Sequence, residues 1–144
     1  MKIAKRFRWE GAHRLPWHEG LCKNLHGHSY SMFVEIEGTP DENGLLMDFK
    51  HLKDCLKGLV DAWDHATVVD ENDHELLDVL QSRSWKHFVL PYDSTAENMC
   101  IFVAEHLIAS SGDRLRSRNI HTVRVRISET ETCYAEAVRE VPPG

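Results

Sequence analysis

Residues 26–37 read HGHSYSMFVEIE and residues 3–13 read IAKRFRWEGAH. Both alternate with period two, the signature of a half-buried strand. In the later stretch His26, His28, Tyr30, Met32, Val34 and Ile36 share one face, while Ser29, Ser31, Glu35 and Glu37 share the other. In the earlier stretch Ile3, Lys5, Phe7, Trp9, Gly11 and His13 line up against Arg6, Arg8 and Glu10. If the two pair as an antiparallel hairpin, the end of the first lies beside the start of the second. His13 then stands near His26 and His28, and all three continue the apolar face of their strand. Alone, H-x-H reads as two polar residues at a strand end. With His13 it reads as three protein ligands and an open fourth position, the pattern of a catalytic zinc site.

The rest of the chain completes an α+β domain. The loop LPWHEGLCKNL joins the two strands, and GTPDENG is a turn cluster. Asp48 caps a helix whose apolar stripe is Leu52, Leu56, Leu59, Val60 and Trp63. WDHATVVDEND reads as a polar loop, HELLDVL as a short helical turn, and WKHFVLPYD as an extended segment. STAENMCIFVAEHLIASSG opens with S-x-x-E, a capping box. Its helix is expected to bury Met99, Phe102, Val103, His106 and Leu107 and to stop near Gly112. HTVRVRISET places Val123, Val125 and Ile127 inward with Glu129 continuing the row, and CYAEAVRE is a last strand. The order ββ-α-α-ββ predicts one domain over residues 1–144, an antiparallel sheet with helices on one face.

Composition narrows the function. Of 144 residues 42% are hydrophobic and 28% charged, the balance of an ordinary globular chain. A net charge of −6 disfavours a nucleic-acid or anionic-membrane surface. No apolar run has the length of a membrane span, and MKIAKRFRWE lacks the apolar core of a secretory signal, so the expected location is cytoplasmic. The four cysteines, at 22, 55, 100 and 133, form no C-x-x-C pair, which argues against a disulfide framework or an all-cysteine zinc site. Cys55 and Cys100 fall inside helical patterns, as small core residues do.

Five segments, AHRLPWHEGLCKNLHGHSY, MDFKHLK, WDHATVV, STAEN and ISETET, resemble in that order the 6-pyruvoyltetrahydropterin synthase/6-carboxytetrahydropterin synthase family. The resemblance runs from about residue 7 to 136. It implies the tunnelling fold, with two-layer subunits joined into a barrel-like homo-oligomer and active sites at subunit interfaces. It also implies Zn²⁺ held by His13, His26 and His28, in agreement with the hairpin argument, and a small pterin triphosphate as substrate. Cys22 matches the catalytic cysteine, and Asp64 and His65 match the catalytic Asp-His pair. Glu129 matches the carboxylate that anchors the pterin, whose 2-amino group and N3–H present two donors to one bidentate acceptor. Thr95 and Glu97 match a stretch lining the pterin pocket.

Each of these residues also has a plainer reading. Cys22 can be a loop cysteine packed under LPW, Asp64-His65 a helix-end cap with a solvated imidazole, and Glu129 an edge glutamate reaching solvent. Glu97 is explained equally well by the capping box. The sequence departs from the family in DHATVV, with Val68 and Val69 where Leu-Asn is usual, and in DSTAE for N/P-T-x-E. The family's members differ chiefly in product. The short C-x3-H-G-H spacing resembles the branch that converts 7,8-dihydroneopterin triphosphate to 6-carboxytetrahydropterin, acetaldehyde and triphosphate, a lyase reaction serving queuosine synthesis. The alternatives are a 6-pyruvoyltetrahydropterin synthase and a non-catalytic zinc- or pterin-binding protein. Arg14 and Lys23 are candidates for the phosphates.

Overall fold

A computed structural model describes residues 1–144. The elements, in chain order, are β1 (Lys2–His13), a 3₁₀ turn (Leu21–Lys23), β2 (His26–Gly38), α1 (Phe49–Trp63), β3 (Ala66–Asp70), α2 (His74–Ser82), β4 (His87–Leu90), α3 (Ala96–Ser117), β5 (Ile120–Ser128) and β6 (Ala135–Glu140). One six-stranded sheet runs β4-β3-β1-β2-β5-β6. The expected hairpin is its centre: β1 and β2 pair antiparallel without a break from Lys2↔Glu37 to His13↔His26.

The α+β class stands, and the sheet differs from the expectation in one respect. It is mixed, because β3 runs parallel to both β1 and β4. WDHATVVDEND is therefore no loop. Its Thr67-Val68-Val69 centre is β-branched, and both valines are buried, so packing outweighs the polar flanks. Successive strand residues face opposite sides. Val68 joins the main core, whereas Val69 packs with Leu76 and Leu80 of α2. The expected turn at HELLDVL is thus a nine-residue helix on the reverse side of β3, while α1 and α3 cover the main core.

That core is where the period predicts it. Leu52, Leu56, Leu59, Val60 and Trp63 are buried in α1, facing Trp9, Tyr30, Met32, Val34 and Ile36 of the hairpin. The start of α3 corrects the capping box. Thr95, not Ser94, is the N-cap, and its hydroxyl accepts from the Asn98 amide at 3.1 Å. Glu97 is then one place too early to reach back, so capping does not account for it. Cys100 and Ala104 are fully buried in α3, whereas Phe102 and His106 are only half-buried. The helix passes Gly112 and continues to Ser117 because Leu115 extends the buried stripe, which offsets about 1 kcal/mol for a helical glycine.

Arg14, a candidate for the phosphates, is paired within the chain. Its guanidinium donates to both oxygens of Asp73, at 2.7 and 2.6 Å, and Asp73 also N-caps α2. The pair ties the residue after His13 to the reverse-side helix. Asp73→Ala should cost about 2 kcal/mol at neutral pH, from the cap and the lost charge-assisted bonds. The Arg14 hydrogen bonds hold the Asp73 carboxyl below its usual range. Protons therefore bind the unfolded chain first as pH falls. The contribution is complete above the ordinary carboxylate range and disappears as pH drops through the folded value. Urea melts of wild type and variant should accordingly differ at pH 7 and draw together as pH falls below the ordinary carboxylate range.

Candidate metal centre and active site

The site begins with register. His13 pairs directly with His26, and Gly11 with His28, at the open end of the hairpin. The rings stand 4.7, 4.8 and 5.2 Å apart between centroids, and one ligand nitrogen from each lies within 4.8 Å of the others. Gly27 permits this closeness, since a Cβ there would stand 3.2 Å from the Gly11 carbonyl oxygen.

The hydrogen bonds define which nitrogens are free. His13 Nδ1 lies 2.7 Å from the Ser94 carbonyl, and His26 Nδ1 lies 2.7 Å from the Asn24 carbonyl. A carbonyl only accepts, so each Nδ1 carries the hydrogen and each Nε2 carries a lone pair. The Nε2 atoms of His13 and His28 are buried without a hydrogen-bond partner. Buried polar atoms seldom stay so, and a metal ion is the partner that a converging set of imidazole lone pairs fits. Burial, more than any neighbour, holds the pKa of His13 and of His28 below the usual imidazole value. Both rings thus favour the neutral form that ligation requires.

Glu129 lies just past the end of β5. Its carboxylate oxygens lie 3.6 Å from His13 Nε2 and 3.7 Å from His28 Nε2. The same residue lines a cavity of about 260 Å³ together with Leu15, Thr95, Glu97, Ile127 and Tyr134. Thr95, Glu97 and Glu129, which the family resemblance singled out, therefore share one hollow whose wall includes the carboxylate facing the triad. A larger hollow of about 610 Å³ lies between α1 and α3, lined by Asp54, Cys55, His106 and Arg114, and none of the three histidines borders it.

Cys22 sits half-buried in the 3₁₀ turn. Its carbonyl accepts from the amide of Leu15, at 2.8 Å, which ties the turn to the cavity wall. Cys100 is a different kind of thiol. Burial pushes it up to about 12, and it donates to the Ala135 carbonyl, so it is packing rather than chemistry.

Asp64 and His65 form the corner between α1 and β3, with His65 in the left-handed region at φ 56°. The Asp64 carboxylate accepts from the Glu10 amide at 3.0 Å and contacts His65 Nδ1 at 2.9 Å. The Glu10 amide is the largest influence holding that carboxyl below its usual range, with the His65 ring next. From β4's approach, Lys86 Nζ donates to the Asp61 and Asp64 carbonyls at 2.7 and 2.6 Å. The corner is therefore fixed from three sides, yet the His65 side chain is 76% exposed and no hydrogen bond or ion pair joins it to the triad. Sequence reasoning missed three contributors: the Ser94 carbonyl, Lys86 and Tyr134. Backbone acceptors leave no residue signature, Lys86 lies in a segment without a motif, and Tyr134 reads as an ordinary strand-start aromatic.

Comparison with known proteins follows the same lines. The family described as 6-pyruvoyl tetrahydropterin synthase matches residues 2–140. The chain is 33% identical over 143 residues to the 6-carboxy-5,6,7,8-tetrahydropterin synthase of Haemophilus influenzae, covering 94% of this chain and 96% of that one. It is 33% identical over 160 residues to the enzyme of the same name from Aquifex aeolicus, covering 96% and 98%. Among solved structures, a 6-pyruvoyltetrahydropterin synthase from Plasmodium vivax superposes with a TM-score of 0.79 at 18% identity, covering 97% of this chain and 98% of that one. The enzyme of Caenorhabditis elegans gives 0.67 at 22% identity over 95% and 94%. These two likenesses carry the fold.

Proposed function

The chain belongs to the 6-pyruvoyl tetrahydropterin synthase family, and from that premise we propose that it works as a 6-carboxy-5,6,7,8-tetrahydropterin synthase. The substrate is then 7,8-dihydroneopterin triphosphate, and the products are 6-carboxytetrahydropterin, acetaldehyde and triphosphate, as in queuosine synthesis. One observation carries the reading: the imidazoles of three histidines converge beside a carboxylate that also lines a hollow of about 260 Å³.

His13, His26 and His28 would hold Zn²⁺, which supplies Lewis-acid polarisation of substrate side-chain oxygens when bound. The chain's own residues divide the remaining work. Glu129 accepts from the pterin's 2-amino group and N3–H, orienting the ring in the hollow with Thr95 and Glu97 beside it. Cys22, as thiolate, takes a proton from the substrate side chain. Asp64 fixes Nδ1–H of His65, which leaves Nε2 to accept or return a proton. His65 faces solvent within one subunit. That exposure, together with the family resemblance, supports a site completed by a second copy, in a homo-oligomer with active sites at subunit interfaces. No helix is long and apolar enough to cross a membrane, in keeping with a cytoplasmic enzyme acting on a small, highly charged substrate.

Mass spectrometry of the products formed from dihydroneopterin triphosphate tests the reading. A 6-carboxytetrahydropterin ion with equimolar acetaldehyde is the expected outcome. A 6-pyruvoyltetrahydropterin ion would place the chain with the other branch, and bound zinc with no turnover would leave a binding protein.

A further inference from the structure

Tyr134 is the aromatic residue of the 260 Å³ cavity. It stands in the segment between Glu129 and β6, and the residue is 58% exposed. An exposed phenol is ordinarily free to turn. This one is held. The Arg126 guanidinium lies over its ring, 4.0 Å from the centroid. Arg126 is itself fixed by Glu136, whose Oε1 accepts from Nε at 3.3 Å and from Nη2 at 3.2 Å. One side of the ring is thus occupied by a pinned cation, and the residue also lines the hollow that Glu129, Thr95 and Glu97 share.

The surroundings suit a flat heterocycle with hydrogen-bond donors along one edge. Glu129 supplies a bidentate acceptor at one side, while Leu15 and Ile127 supply apolar contact. A phenol made more rigid by a stacked guanidinium adds a preorganised surface on which a planar ring can stack with little loss of side-chain freedom. We propose that Tyr134 is a substrate-binding residue, the aromatic wall against which the pterin ring packs once Glu129 has engaged its edge. This rests on the pterin reading given above. It adds a contact that fixes the plane of the ring, where Glu129 fixes only its edge.

Isothermal titration of the zinc-loaded protein with 7,8-dihydroneopterin, the substrate without its triphosphate, separates the two. Tyr134→Ala should weaken binding about ten-fold or more, within the range seen when a base-stacking aromatic is removed. Tyr134→Phe should bind within about two-fold of wild type, because the ring and not the hydroxyl is used. Tyr134→Leu keeps apolar area without the π-system and should lie between them, and zinc content and melting temperature should be unchanged in all three. Glu129→Gln, which puts a donor where an acceptor is needed, reports on the pterin reading itself. If Glu129→Gln loses affinity while Tyr134→Ala and Tyr134→Leu bind like wild type, the stacking role is refuted and the pterin site stands. If none of them changes binding, the pterin site is refuted with it.

Discussion

His26→Ala should lose nearly all bound zinc and bring turnover to background, with the fold retained. Of the two histidines whose tautomer a carbonyl fixes, His26 is the more accessible, held at the mouth of the hairpin by the Asn24 carbonyl. Its removal leaves two imidazoles, an incomplete set for a tetrahedral ion. Loss of a residue that merely orients a ligand typically costs 10–100-fold in metal affinity, so loss of the ligand itself should exceed about 100-fold. Truncating a half-buried ring at a strand end removes little packing, and the melting temperature of the metal-free forms should differ little. Metal analysis after dialysis, with circular dichroism on the same sample, gives the answer. Full zinc in His13→Ala, His26→Ala and His28→Ala alike would dismiss the triad as a metal centre.

Cys22→Ala should do the opposite: keep zinc, keep substrate binding and lose rate. The 3₁₀ turn is held through the backbone, by the Leu15 amide on the Cys22 carbonyl, so the loop does not depend on the thiol. The three histidines come from strand positions that the loop merely connects. A general base contributes a factor of about 10²–10⁴, and losing it should lower kcat with little change in KM. The competing assignment makes Cys22 a fourth ligand that closes the site into a structural one. Zinc content and single-turnover rate measured on one preparation distinguish them. Zinc lost with activity supports the closed site, and near-normal turnover removes the thiol from the mechanism.

The hairpin and its three histidines were legible because both depend on one local rule. Period-two alternation fixes which side chains share a face, and antiparallel pairing fixes which ends meet. Helix α1 was equally plain, since a capping aspartate precedes an uninterrupted apolar stripe. What stayed hidden was non-local. The five residues of β3 are strand only because β1 and β4 flank them, and polar neighbours mask the valines. The helix start lies one residue later, at Thr95, whose hydroxyl caps the Asn98 amide, while the Ser94 carbonyl meets His13 from 81 residues away. That single shift frees Glu97 from its capping role, a difference no reading of STAEN could supply. Asp64 and His65 were found by likeness, while the network that holds them, through Glu10 and Lys86, required the fold.

The continuous pairing of β1 with β2 also bears on the order in which the protein is made. All three imidazoles lie within residues 13–28, and the hairpin that gathers them is complete at Gly38. Closing a loop of a dozen residues is fast and costs little entropy, whereas contacts between distant parts of a chain wait for the rest of it. Glu129, Thr95 and the Ser94 carbonyl all belong to the later two-thirds of the polypeptide. A nascent chain emerging from the ribosome therefore presents the ligand cluster well before the hollow for the ring can exist. Capture of a cation at that stage would bias an otherwise marginal two-stranded ribbon toward its final register.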